Sequence, residues 1–187
     1  MIRAFLAIRP ADDVLRNLKA AQEDLGQAGI DARWVSANAL HLTVQFLGDV
    51  REAEMPEIER GLREGLAALP PFDLECRGLG VFPNQKRPRV LWVGLHGAGL
   101  SSLAEATETV LSPLGFPPEE RDFTPHITLG RMRSTRGAES LVRIVKASGQ
   151  RSFGTSRIDH ATLYRSHLRP EGAVYTPLVA FPFAPAA

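Results

Sequence analysis

The sequence predicts an α+β protein folded as one domain over residues 1–187, made of two similar lobes, each a small sheet backed by helices. Three observations predict it. Short apolar, strand-like runs alternate with segments whose apolar residues recur every three or four positions. The order β-α-β-α-β of the first half returns as β-α-β-α-β-β in the second, with little repetition of sequence. Hydrophobic residues make up 44% and charged residues 23% of 187, the balance of a globular chain long enough to bury a real core.

Residues 3–9 form a continuous apolar run and are expected as a buried strand. Val14, Leu18, Ala21 and Leu25 share one helical face over 12–25. A second strand is expected at 39–47. The helix over 52–67 has Met55, Ile58, Leu62 and Leu66 on its core stripe. Strands follow at 72–81 and 89–96, separated by Pro83-Asn84 and the basic loop Lys86-Arg87-Pro88-Arg89. A third helix runs over about 100–114 through Leu100, Leu103, Thr107, Val110 and Leu114. Then come a strand at 125–131, a helix at 138–148 and strands at 155–165 and 174–181. The tail Pro182-Phe183-Ala184-Pro185 is expected to fray. The irregular segments 82–89 and 132–137 both carry arginines and are expected to flank a site.

Composition removes several functions. A single cysteine, Cys76, excludes an intrachain disulfide framework and a cysteine zinc cluster. The formal net charge of +1 argues against coating a long nucleic-acid backbone, though not against gripping one phosphate. Basic residues are three lysines and nineteen arginines, and arginine is the better bidentate phosphate ligand. The N-terminal apolar run is cut by Arg3, Arg9 and Pro10 and resembles neither a signal nor a transit peptide. No membrane association is expected. A cytoplasmic location and a monomer are.

One tetrapeptide pattern occurs twice. His41-Leu42-Thr43-Val44 lies in the second strand of the first half, and His126-Ile127-Thr128-Leu129 in the matching strand of the second. Strand side chains alternate faces, so His41 shares a face with Thr43 and His126 with Thr128. An approximate two-fold between the halves would turn both faces into one cleft. Two imidazoles suit phosphodiester cleavage without a metal: one ring takes a proton from the nucleophile and the other protonates the leaving oxygen, each role worth about 10²–10⁴ in rate. The two hydroxyls can donate to non-bridging phosphate oxygens. A zinc site would need three or four ligands, and neither motif has a third at helix or hairpin spacing. His96, His160 and His167 lack a partner pattern and read as surface or structural residues. Cys76 lacks a neighbouring histidine and reads as core.

With these motifs the chain resembles the 2H phosphoesterase superfamily, and within it the RNA 2′,3′-cyclic phosphodiesterases, also called 2′-5′ RNA ligases. The likeness extends through Arg3-Ala4-Phe5-Leu6-Ala7-Ile8, Arg33-Trp34-Val35, Gln45-Phe46-Leu47-Gly48, Arg89-Val90-Leu91-Trp92, Phe123-Thr124-Pro125 before the second motif, Leu163-Tyr164-Arg165-Ser166 and Tyr175-Thr176-Pro177-Leu178. It implies a bilobal, pseudo-two-fold fold in which two antiparallel-rich sheets line a central cleft with helices outside. It implies cofactor-free, metal-independent hydrolysis of the 2′,3′-cyclic phosphate at an RNA 3′ end to a 2′-phosphate, with His41 as proton donor, His126 as acceptor, and Thr43 and Thr128 holding the phosphate. The alternatives are 2′-5′ ligation of such ends to a 5′-hydroxyl, or a module that binds RNA ends without turnover. The resemblance also implies a site role for Arg131. Strict alternation sets Arg131 on the Leu129 face, so it reaches the cleft only if the strand bulges or ends near Gly130. Phe5, Trp34 and Trp92 are expected in the core, with base stacking as the second reading.

Overall fold

The computed structural model describes residues 1–117, 123–169 and 172–185. Its elements run β1 (Ile2–Ile8), α1 (Asp12–Gln27), β2 (Ala32–Trp34), β3 (Leu42–Val50), α2 (Met55–Leu66), β4 (Phe72–Phe82), β5 (Val90–His96), α3 (Leu100–Leu111), β6 (His126–Met132), α4 (Ala138–Ala147), β7 (Ser152–Ile158), β8 (His160–Arg169) and β9 (Gly172–Pro182). The strands form two sheets, ordered β3-β1-β8-β9 and β2-β6-β5-β4-β7, and every pairing is antiparallel. Helices α2 and α3 pack on the first sheet, α1 and α4 on the second.

The lobes are not the two halves of the chain. β1 and β3 pair in the first sheet while β2, which the sequence reading missed, joins the second. The run expected as one strand over 155–165 is two strands parted at Asp159: β7 stays in the second sheet and β8 enters the first. Periodicity cannot see such an exchange, because both pieces alternate alike. The tail is also better fixed than expected. Pro182 pairs with His160, Phe183 is buried, and the Phe183 and Ala184 amides donate to the carbonyls of Asp159 and Leu69.

The core faces follow the expected pattern. Ala4, Leu6 and Ile8 of β1, Val14, Leu18, Ala21 and Leu25 of α1, and Ile58, Leu62 and Leu66 of α2 are all buried. So are Ile127 and Leu129 of β6 and Cys76 of β4. Burial pushes the Cys76 thiol up to about 12, so it is a packing residue with little nucleophilic character.

One irregularity positions the site. Thr128 pairs with Trp92 and Gly130 with Leu91, which leaves Leu129 as an extra residue in β6. Its carbonyl accepts from the Val35 amide at 2.9 Å and from Gln22 Nε2 at 2.8 Å. Gln22 Nε2 also donates to the Val35 carbonyl at 2.8 Å. This glutamine, on the inner face of α1, is 1% exposed. It ties the helix to the bulge and to the chain leaving β2. Gln22→Ala should therefore leave buried backbone acceptors short of a donor and cost about 2 kcal/mol. The thermal midpoint should fall by roughly 4–8 °C for a chain of this size. A midpoint within one degree of wild type would show that the bulge does not depend on this side chain.

Candidate active site

The 3₁₀ turn at Ala37–Ala39 is capped by Leu40, the residue before His41, and β3 begins at Leu42. Leu42 is buried, while His41 and Thr43 stand together on the opposite face, as the alternation requires. His41 Nε2 lies 3.1 Å from Thr43 Oγ1, and the ring also bonds the Ala39 carbonyl. In the second sheet His126 opens β6, with Ile127 and Leu129 buried and His126 and Thr128 half-exposed. His126 Nδ1 lies 2.7 Å from the Thr124 carbonyl. Each ring thus bonds the carbonyl two residues before it. A carbonyl can only accept, so the contact fixes a proton on Nδ1 and leaves Nε2 as the working nitrogen. These carbonyls belong to the backbone, and no side-chain pattern announces them.

Aromatic residues surround His41. Phe5 stacks on its ring at 4.9 Å, Tyr175 meets it edge-on at 5.0 Å, and Tyr164 lies at 6.3 Å. This burial lowers the His41 pKa to about 4; the Ala39 carbonyl opposes the shift and the Arg9 charge adds to it. His41 is accordingly neutral at pH 7, and its Nε2 accepts the Thr43 hydroxyl. Around His126, Phe82 makes an edge contact at 5.0 Å and Trp92 lies at 6.0 Å. A Cβ on Gly80 would strike the Trp92 ring, so the glycine makes room for this wall. Phe5 is both core and lining. Trp34 is neither wall nor platform: it packs on Gly26 of α1 and covers Gly130 on the helix side.

The bulge decides where Arg131 goes. Beyond Leu129, Gly130 turns toward Trp34, and Arg131 falls in register with Val90, which pairs with Phe82. Opposed residues share a face, so Arg131 projects on the face of Thr128, Trp92 and Phe82. Burial raises the pKa of the Tyr175 phenol, and the Arg131 charge opposes that rise. Arg131 of the second sheet therefore lies within electrostatic reach of Tyr175 of the first. Arg136 is engaged elsewhere, 3.7 Å from Asp31, whose carboxylate also accepts from Ser134 at 2.6 Å. His160 is bound to Asp159, outside this cluster. Among the described residues no group of three or more His, Cys, Asp or Glu is placed to hold a metal ion, and no helix is long and apolar enough to cross a membrane.

Comparison with known proteins agrees with this geometry. The family model described as LigT-like phosphoesterase matches residues 8–92 and 95–175. A Methanothermobacter thermautotrophicus protein named RNA 2′,3′-cyclic phosphodiesterase is 33% identical over 181 residues, covering 96% of this chain and 98% of that one. An Archaeoglobus fulgidus protein of the same name is 34% identical over 182 residues, covering 96% and 99%. The crystal structure of TT0787 of Thermus thermophilus superimposes with a TM-score of 0.82 at 29% identity, covering 97% of each chain.

The titration of His41 is directly measurable. Its folded value of about 4 lies below the ordinary 6.5, so between these values the unfolded chain binds more protons than the folded one. Stability should then fall as pH drops from about 6.5 toward 4, and this source adds nothing further below 4. Ring-nitrogen NMR should find His41 neutral, with its proton on Nδ1, at pH 5.5. A midpoint near 6.5 would contradict the burial argument.

Proposed function

The chain belongs to the LigT-like phosphoesterase family, and on that premise we propose that it hydrolyses the 2′,3′-cyclic phosphate at an RNA 3′ end to a 2′-phosphate. The observation that carries the reading is the pair of imidazoles, each fixed by a carbonyl two residues upstream and each beside a threonine on its own sheet. Two relatives that match this chain almost end to end are named RNA 2′,3′-cyclic phosphodiesterase.

In the proposed reaction Nε2 of His126 takes a proton from water. The water oxygen bonds phosphorus, the P–O3′ bond breaks, and His41 protonates O3′. The products are a free 3′-hydroxyl and a 2′-phosphate. Thr43 and Thr128 donate to the non-bridging oxygens, where charge gathers in the transition state. Arg131 balances that charge from the rim. Thr43 changes partner on binding: its hydroxyl leaves His41 Nε2 for a phosphate oxygen. The phosphate anion then stands beside a desolvated imidazole and favours its protonated form, so His41 acquires its proton as substrate arrives. We place the activity in the cytoplasm, in a monomer acting on RNA ends.

A second assignment exchanges the histidines, and the low pKa of His41 favours it. Variant pH profiles separate the two. If His41 is the acid, His41→Ala removes the alkaline limb of the kcat/KM bell; if it is the base, the acidic limb goes. Either way His41→Ala and His126→Ala should each slow turnover at least about a hundredfold. The assay is a short RNA with a 2′,3′-cyclic phosphate, incubated in EDTA with a 5′-hydroxyl RNA present. A 2′-phosphate product is expected. A 3′-phosphate would refute the assigned leaving group, a joined RNA would identify ligation, and binding without any product would identify a module.

A further inference from the structure

His41 stands just outside regular structure, between the 3₁₀ turn at Ala37–Ala39 and β3, so its ring is only as well placed as that turn. A short 3₁₀ turn closes few hydrogen bonds of its own. Here the Ala39 amide donates to the Ser36 carbonyl at 2.9 Å and the Leu40 amide to the Ala37 carbonyl at 3.4 Å. The Ser36 side chain makes no capping bond. Buried Leu40 anchors the chain behind the turn, but it does not orient the turn's carbonyls. Arg9 does. One residue past β1, it donates through Nη1 to the carbonyls of Ala37 at 3.2 Å and Asn38 at 3.3 Å. The next carbonyl, that of Ala39, is the one the His41 ring bonds. Three successive carbonyls are thus divided between a guanidinium and an imidazole. Pro10 favours extended backbone at Arg9, which continues the alternation of β1 and keeps Arg9 on the face of Phe5 and Ala7. Phe5 stacks on the His41 ring at 4.9 Å, so one strand supports the histidine both through its ring and through its turn. The other contact of Arg9, 3.8 Å from Nη2 to the exposed Asp12 carboxylate, is worth little.

We propose that Arg9 is a positioning residue for the first histidine: by holding the carbonyls of Ala37 and Asn38 it fixes the turn whose Ala39 carbonyl keeps the His41 proton on Nδ1 and leaves Nε2 free to work. Its part in turnover rests on the proposed function; its part in fixing the ring does not. The role has an electrostatic consequence, because a cation near the ring opposes its protonation. Neutral side chains face the ring from the other strands: Thr43 of β3, Tyr164 of β8 and Tyr175 of β9. Among the described residues Arg9 is the cation whose field reaches His41, while Arg131 acts on Tyr175. Removing Arg9 therefore changes both the geometry and the titration of one particular ring, which the loss of an ordinary surface arginine would not do.

The test compares wild type, Arg9→Gln and Arg9→Lys. A glutamine amide is too short to reach both carbonyls, whereas a lysine ammonium can donate to both and keeps the charge. In Arg9→Gln, ring-nitrogen NMR at pH 7 should show the His41 proton divided between Nδ1 and Nε2, and the titration midpoint of the ring should rise. On an RNA ending in a 2′,3′-cyclic phosphate kcat should fall about tenfold with KM nearly unchanged, part of the roughly 10²–10⁴ that a well-placed acid or base contributes. The limb of the pH profile that belongs to His41 should move to higher pH. Arg9→Lys should restore the Nδ1 proton and most of kcat. A single Nδ1 tautomer in Arg9→Gln, an unmoved titration in that variant, or an Arg9→Lys enzyme as slow as Arg9→Gln would overturn the role. The NMR measurement reads folded molecules and needs no turnover, so a loss of stability does not imitate the result. A wild type that hydrolyses nothing would refute the proposed function, whereas an unchanged His41 in Arg9→Gln would refute the positioning role alone.

Discussion

Much of the cleft depends on one extra residue in one strand. Without the bulge at Leu129, alternation would send Arg131 into the helix-packed side of its sheet, where an unpaired guanidinium is costly. With it, Thr128 and Arg131 share a face although they are three residues apart. The bulge is held from behind. The Leu129 carbonyl receives both the Val35 amide and Gln22 Nε2, so a helix on the far side of the sheet fixes the phase of the strand on the near side. The same contact fixes β2, because Gln22 also binds the Val35 carbonyl. Placing a cation in the cleft therefore falls to a buried neutral amide that does not line the cleft.

The exchange of strands between the sheets has a related consequence. β1 and β3 flank the first histidine, and β8 and β9 complete that sheet from the far end of the sequence. Tyr164 and Tyr175, which help to bury His41, come from those late strands. β2 belongs to the first quarter of the chain but closes the sheet of the second histidine. Neither half of the chain contains a complete site. The two imidazoles are presented only when both sheets have formed, so folding and assembly of the site are a single event.

This explains what the residues alone could reveal. The repeated His-x-Thr pattern is local, and a period of two suffices to put each histidine beside its threonine; that much was legible. The buried faces of α1, α2 and β1 were legible for the same reason. The bulge could be anticipated as a condition on Arg131, because a glycine stood where it was required. Gln22 could not, since a lone glutamine in a helical stripe has no signature until its acceptors are in place. The sheet to which β7 and β8 belong could not be read either, because pairing partners lie far apart in sequence and alternation is identical in both sheets.

A formal charge of +1 spread over 187 residues predicts weak attraction for nucleic acid, yet charge here is sorted by face. Acidic groups on the outer helices pair locally, as Glu23 does with Lys19 and Glu57 with Arg60, while Arg33 and Arg131 stand on the cleft face. Within the cleft, burial keeps His41 uncharged at neutral pH. An imidazolium already present would be stabilised by water and by any passing ion. If His41 is the acid, as proposed, a neutral ring walled by Phe5 and Tyr175 gains its proton beside a phosphate and becomes competent when the bond it must break is in place. On that assignment the low pKa of His41 and a proton-donating role beside the substrate are two ends of one titration, separated by the charge of the substrate.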